Sequence, residues 1–191
     1  MISLSPNDFE CVGQLAKHCD NAKLCVSVDE AANFDMAPLL CDLFPEVAEN
    51  WESMEEPWST LIGGGTFEDC KGKQKTQLGL KRVFIYYAYA RYLVLNSYND
   101  TPNGSVTKTN DFSIPKPLKE VEQFADKYRT MGYRTWKAVE RYMCLNRDLF
   151  DGMDAIECRG CGCNDTCNGG TQAKGYGIKG SNISRWDVKR Y

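Results

Sequence analysis

Histidine is all but missing from this chain, which has one, His18, in 191 residues. Hydrolases that rely on an imidazole base, and metal sites built from several imidazoles, therefore have almost no material here. His18 itself falls near the end of the first expected helix, where a positive side chain is merely favourable. Also lacking is any apolar run of the roughly 20 residues needed to cross a bilayer. The longest, residues 83–95, is interrupted by Arg91 and reads as a core helix. The opening residues show no basic stretch followed by an apolar one, so no secretory leader is expected. Cations are not in excess: 23 Lys and Arg against 26 Asp and Glu leave a net charge of -3. General nucleic-acid binding, which needs clustered cations on phosphates, is not favoured. The glycines of Leu61-Ile62-Gly63-Gly64-Gly65-Thr66-Phe67 lack the Gly-Lys-Ser/Thr closure of a phosphate loop and are expected to serve a turn. The acid pairs Asp29-Glu30 and Glu55-Glu56 are sequence neighbours, which diverge on a helix and make poor catalytic couples. A non-enzymatic chain is expected.

What is present is the composition of a folded body, 42% hydrophobic and 26% charged. Ser5-Pro6-Asn7-Asp8 carries a capping-box signature and is expected to open a helix over residues 6–18. Ser27-Val28-Asp29-Glu30 repeats that signature and predicts a second helix start, broken or kinked later by Pro38 and Pro45. Residues 46–58 are acidic, and the spacing of Trp51 and Trp58 would put both on one helical face. Lys71 to Gln77 reads as an exposed polar loop. Lys71, Lys73, Lys75, Lys81 and Arg82 are the strongest candidates for a basic patch. From Gly79 to Ser97, Val83, Tyr86, Tyr87, Ala90, Leu93 and Val94 recur at three- and four-residue steps, predicting a central helix. Asn103-Gly104 predicts a turn from which Val106 to Thr109 could pair as a short hairpin arm.

Pro115 and Pro117 precede the longest expected helix, residues 118–145. Its stripe is Leu118, Val121, Ala125, Tyr128, Gly132, Thr135, Val139 and Tyr142, with Phe124, Met131, Trp136 and Met143 alongside. Two helices of this length imply antiparallel packing with the intervening segment projecting. The fold class expected is mainly α: a helical bundle with a long projecting loop or short hairpin, and an irregular Cys/Gly-rich C-terminal extension. Residues 1–149 would form the helical domain and residues 150–191 the extension.

Several of these segments carry a resemblance. Trp58 to Phe67, Leu78-Gly79-Leu80-Lys81, Tyr86 to Leu93, Gly104 to Lys108 and Asp111-Phe112-Ser113-Ile114-Pro115 occur in the order seen in virion proteins of tailed bacteriophages. Over residues 25–145 the chain resembles the helical head-tail connector, or adaptor, proteins. The resemblance implies a structural subunit of the phage neck, forming a homo-oligomeric ring of commonly about twelve copies. Such a ring binds the portal, meets other neck or tail proteins and continues the DNA channel without sequence recognition. It implies assembly in the host bacterial cytoplasm and residence in the virion, with no membrane partner.

Of ten cysteines, six are scattered (Cys11, Cys19, Cys25, Cys41, Cys70 and Cys144) and are expected to be packing residues. Cys158, Cys161, Cys163 and Cys167 form C-x2-C-x-C-x3-C, four soft ligands close enough to wrap one structural zinc. The usual zinc knuckles are separated by a dozen or more residues, so free thiols, or disulfides formed after lysis, stand beside zinc. Iron–sulfur ligation is the weaker option because the spacing matches neither common ferredoxin pattern. The cluster leaves two alternative functions open: a zinc-stabilised module that recruits a protein partner through its C-terminal tail, and a thiol-based redox enzyme.

Overall fold

The computed structural model describes residues 2–10, 12, 15, 19–101, 104–107, 117–153 and 156. The protein is mainly helical, as expected, with two short antiparallel hairpins added. Ser5 does begin a turn, and the Asp8 carboxylate accepts its backbone N–H at 2.8 Å. The turn is of the 3-10 kind, Pro6–Phe9, and much of the helix expected over residues 6–18 lies outside the described residues. Phe9 is wholly buried and packs its ring against Tyr89.

Helix α1 spans Asn21–Ala31 and starts earlier than the Ser27 signature predicts. Asp20 is the cap, its Oδ1 accepting the Lys23 N–H at 3.2 Å. Ser27 is instead buried inside the helix, where its hydroxyl donates to the Lys23 carbonyl at 2.8 Å. The upstream cap prevails because Leu24, Ser27, Val28 and Ala31 form the buried stripe and must share one helix. The chain then widens into a π turn, Ala32–Met36, before α2, Ala37–Leu40. Pro38 would press its ring on the carbonyl four residues back in a regular helix, and the wider turn relieves that crowding. A 3-10 turn, Cys41–Leu43, leads into α3, Phe44–Glu49, with Pro45 in its first turn.

The two tryptophans do not share a helix face, because α3 ends before the first of them. Trp51 lies in a turn with its ring edge-on to Phe84, and its indole N–H donates to the Ser3 carbonyl at 3.0 Å. Trp58 begins α4, Trp58–Gly63, and meets Phe150. The glycine run divides between the end of α4 and strand β1, Gly65–Glu68. Lys71 to Gln77, expected as a loop, supplies a turn and strand β2, Gln74–Gln77, paired with β1 from Gly65↔Gln77 to Glu68↔Gln74. Alternation alone could not reveal four-residue strands this polar.

Helix α5, Gly79–Leu95, begins at a glycine with φ +82°, where an added Cβ would meet the Ile62 carbonyl and lie 2.6 Å from Gly64 N. Buried Gln77 completes that junction, its amide donating to the Thr60 carbonyl while its carbonyl accepts the Gly79 N–H. Strands β3, Tyr98–Thr101, and β4, Gly104–Thr107, form a hairpin where one was expected, but with Gly104 already paired opposite Thr101, so the arm starts two residues before the expected Val106. Helix α6 then runs Leu118–Leu145, the predicted span. Tyr86 and Tyr87 face Gly132 while Tyr89 meets Tyr128, so the sequence rises along α5 as it falls along α6 and the pair is antiparallel. The buried seam is Ala125, Gly132, Trp136, Val139 and Met143, with Leu118 left exposed. Past the last helix Phe150, Met153 and Ile156 are still buried in the core, beyond Leu149 where the bundle was expected to end.

Candidate functional site

The central fact of the architecture is that α5 has neighbours on both sides. Phe84 and Arg91 face the N-terminal layer: the first packs on Trp51, and the second reaches Asp35 and Glu30. Tyr86, two residues after Phe84 and therefore about 200° around the axis, faces α6. The outer faces of α1 and α6 thus lie on opposite flanks of the molecule.

Two polar anchors hold this arrangement. Arg91 Nε donates to Asp35 Oδ2 at 2.6 Å, Nη2 to Oδ1 at 3.2 Å and Nη1 to Glu30 Oε2 at 3.1 Å, with the guanidinium 5.6 Å from the Phe34 ring centre. The Asp35 carboxylate, then Glu30, raise the guanidinium above its ordinary pKa despite partial burial. The π turn is what presents Asp35 to Arg91. Lys23, on α1, donates to the Leu95 carbonyl at 3.0 Å, to the Tyr98 carbonyl, and to Asn99 Oδ1 at 3.0 Å. It caps the negative end of α5 and fixes the root of the β3–β4 hairpin.

Charge is divided unevenly along the chain. Residues 1–58 carry 12 Asp and Glu against two Lys, whereas residues 59–191 carry 14 against 21 Lys and Arg. Among the described residues before Trp58, Lys23 is the only base, and it is engaged by α5. Asp29, Asp42, Glu49, Glu52 and Glu55 are exposed. On α6 the face turned away from α5 presents Lys119, Gln123, Lys127, Thr130, Arg134 and Lys137 at steps of three or four, all exposed. The stripe extends about 27 Å at 1.5 Å per residue. Acids lie at its edge, where Asp126 pairs with Arg129 at 2.7 Å and Glu140 with Lys137 at 2.6 Å.

The expected basic patch is partly assembled. Lys71 and Lys73 share the β1–β2 turn, organised by Asp69, whose Oδ1 accepts their N–H groups at 2.9 Å each, and Lys75, on β2, reaches the same carboxylate at 3.9 Å. Those donors, led by Lys73, hold the Asp69 carboxyl below its ordinary range. Lys81 stands apart, paired with Asp8 at 2.9 Å. Cys158, Cys161, Cys163 and Cys167, and His18, lie outside the described residues. The packing role expected of the scattered cysteines holds for Cys144, buried in the core, and for Cys19, which packs against it, but not for all of them, and Cys11 lies outside the described residues. Cys25 and Cys41 are exposed free thiols, and Cys19 is a half-buried one. Cys70 and Cys144 are disulfide-bonded. Among the described residues no group of three or more His, Cys, Asp or Glu is placed to hold a metal ion, and no helix is long and apolar enough to cross a membrane.

Glu46 is a group that sequence reasoning missed. Its Oε2 is buried without a hydrogen-bond partner, and burial, then the nearby Asp151 charge, raise its pKa. The Asp151 backbone N–H partly offsets this.

Residues 37–162 match a family of unknown function (DUF6712). The chain belongs to this family. The match takes in α2 to α6 and both hairpins, so the α5–α6 pair and the basic stripe belong to the family's part of the chain, whereas α1 precedes it. No curated protein and no solved structure matches the chain.

Proposed function

We propose that this protein is a non-enzymatic structural subunit of the neck of a tailed phage, a head-tail connector ring that binds the portal and continues the DNA channel. The reading comes from the resemblance over residues 25–145. The observation that best supports it is α5 held between two layers, an N-terminal one that exposes acids and α6, whose outer face exposes bases. A ring subunit needs such a body, because identical copies close into a ring only when unlike surfaces meet at a fixed angle. The hairpin β3–β4, pinned at its root by Lys23, serves as an extension towards a neighbouring subunit or neck layer.

The test is assembly of the purified full chain with its portal. Closed rings in electron-microscopy class averages, stacked on portal rings, are the expected result. A chain that stays monomeric and leaves the portal undecorated ends the proposal. Metal analysis of the same preparation decides the fate of Cys158, Cys161, Cys163 and Cys167. About one zinc per chain supports the four-thiolate site, and less than about a tenth of an equivalent leaves thiols or disulfides.

A further inference from the structure

We propose that copies of this chain join head to tail, the basic outer face of α6 in one copy seating on the acidic, grooved α1 flank of the next. The neck-ring reading gives this contact its setting, but the surfaces are named by separate observations. The first is position: the two faces lie on opposite sides of α5, so their union leaves an α6 face free at one end and an α1 flank free at the other, and propagates. The second is charge. The α6 stripe presents Lys119, Lys127, Arg134 and Lys137, while the α1 flank presents Asp29 at the groove, within an N-terminal layer whose Asp42, Glu49, Glu52 and Glu55 are also exposed. Complementary potentials of this kind set partner choice and register.

The third observation is shape. Between residues 2–6 and α1 lies an open groove of about 380 Å³, walled by Ile2, Leu4, Leu24 and Val28, with Asp29 at its rim. On α6, Phe124 stands 47% exposed with the Lys127 ammonium 5.9 Å from its ring centre. An aromatic knob beside a cation matches an apolar groove beside a carboxylate. A nucleic acid would answer the lysines and arginine but not Phe124, and would meet a molecule of net charge -3.

The experiment reverses each face in the full chain: Lys127→Glu with Arg134→Glu on α6, and Val26→Lys with Asp29→Lys on α1. All four residues are exposed, and far-UV circular dichroism checks that each variant folds. Sedimentation velocity should show the wild type assembling beyond dimers, less so at high salt. Each single-face reversal should weaken assembly roughly tenfold or more, because like charges then face each other. The chain carrying both reversals should recover it. Single-face variants that assemble like wild type, or a combined chain as impaired as either, overturn the proposal. So does a monomeric wild type, and a retarded mixed-sequence DNA duplex lost on α6 reversal would then assign the stripe to nucleic acid. Recovery in the combined chain without portal binding removes the neck reading and leaves the contact standing.

Discussion

Glu46 illustrates how a single residue can work against its own fold. Its pKa is raised in the folded protein, so the native state favours the protonated form. The stability linked to it is present at acid pH and lost as pH rises through the folded value. Glu46→Gln, permanently neutral, is expected to melt at a higher temperature than wild type near pH 7. The gain should shrink as pH falls towards the ordinary Glu range, and calorimetric scans across that window would show it. Arg91 is the opposite case. Arg91→Ala removes three charge-assisted hydrogen bonds and strands Asp35, and should cost about 2 kcal/mol given the partial exposure of the site. Urea denaturation measures this, and an unchanged midpoint would contradict the anchoring role.

Among the elements, α6 was the most legible, because 28 residues of three- and four-step apolar recurrence leave little choice of structure or of ends. Its inner seam was legible only in part. Leu118 fits the period yet is exposed, since periodicity fixes a face but not how far along the helix a partner extends. Gly132, unfavourable in a helix interior by about 1 kcal/mol relative to Ala, is kept by contact: an added Cβ would sit 3.3 Å from the Tyr87 ring. Gly132→Leu should therefore force α5 and α6 apart and destabilise by about 1–3 kcal/mol, read from the denaturation midpoint. The misjudged elements are short ones. Ser27 and Asp20 offer equivalent caps, and only the burial of Leu24 chooses between them. The β1–β2 strands are too polar to announce themselves, and they form because Asp69 and Gln77 tie their ends.

For the whole molecule, α5 is the keystone, covered by aromatic and aliphatic side chains from both flanks. Hydrogen exchange should be slowest along Val83 to Ala90, where buried residues are densest, and faster in β3–β4 and the first turn of α6. Mass-spectrometric exchange would reveal it, and a fast-exchanging α5 would refute the layered core. The sequence by itself determined the helical class, the two long helices and their antiparallel pairing, because periodicity and chain length dictate them. It also set the uneven charge along the chain. Tertiary structure decided where that charge stands: wrapping the acidic N-terminal segment over one side of α5 and α6 over the other turned a difference along the chain into two opposed surfaces. Which cap wins, which cysteine is exposed and which carboxylate is buried were settled the same way, since burial depends on neighbours distant in sequence.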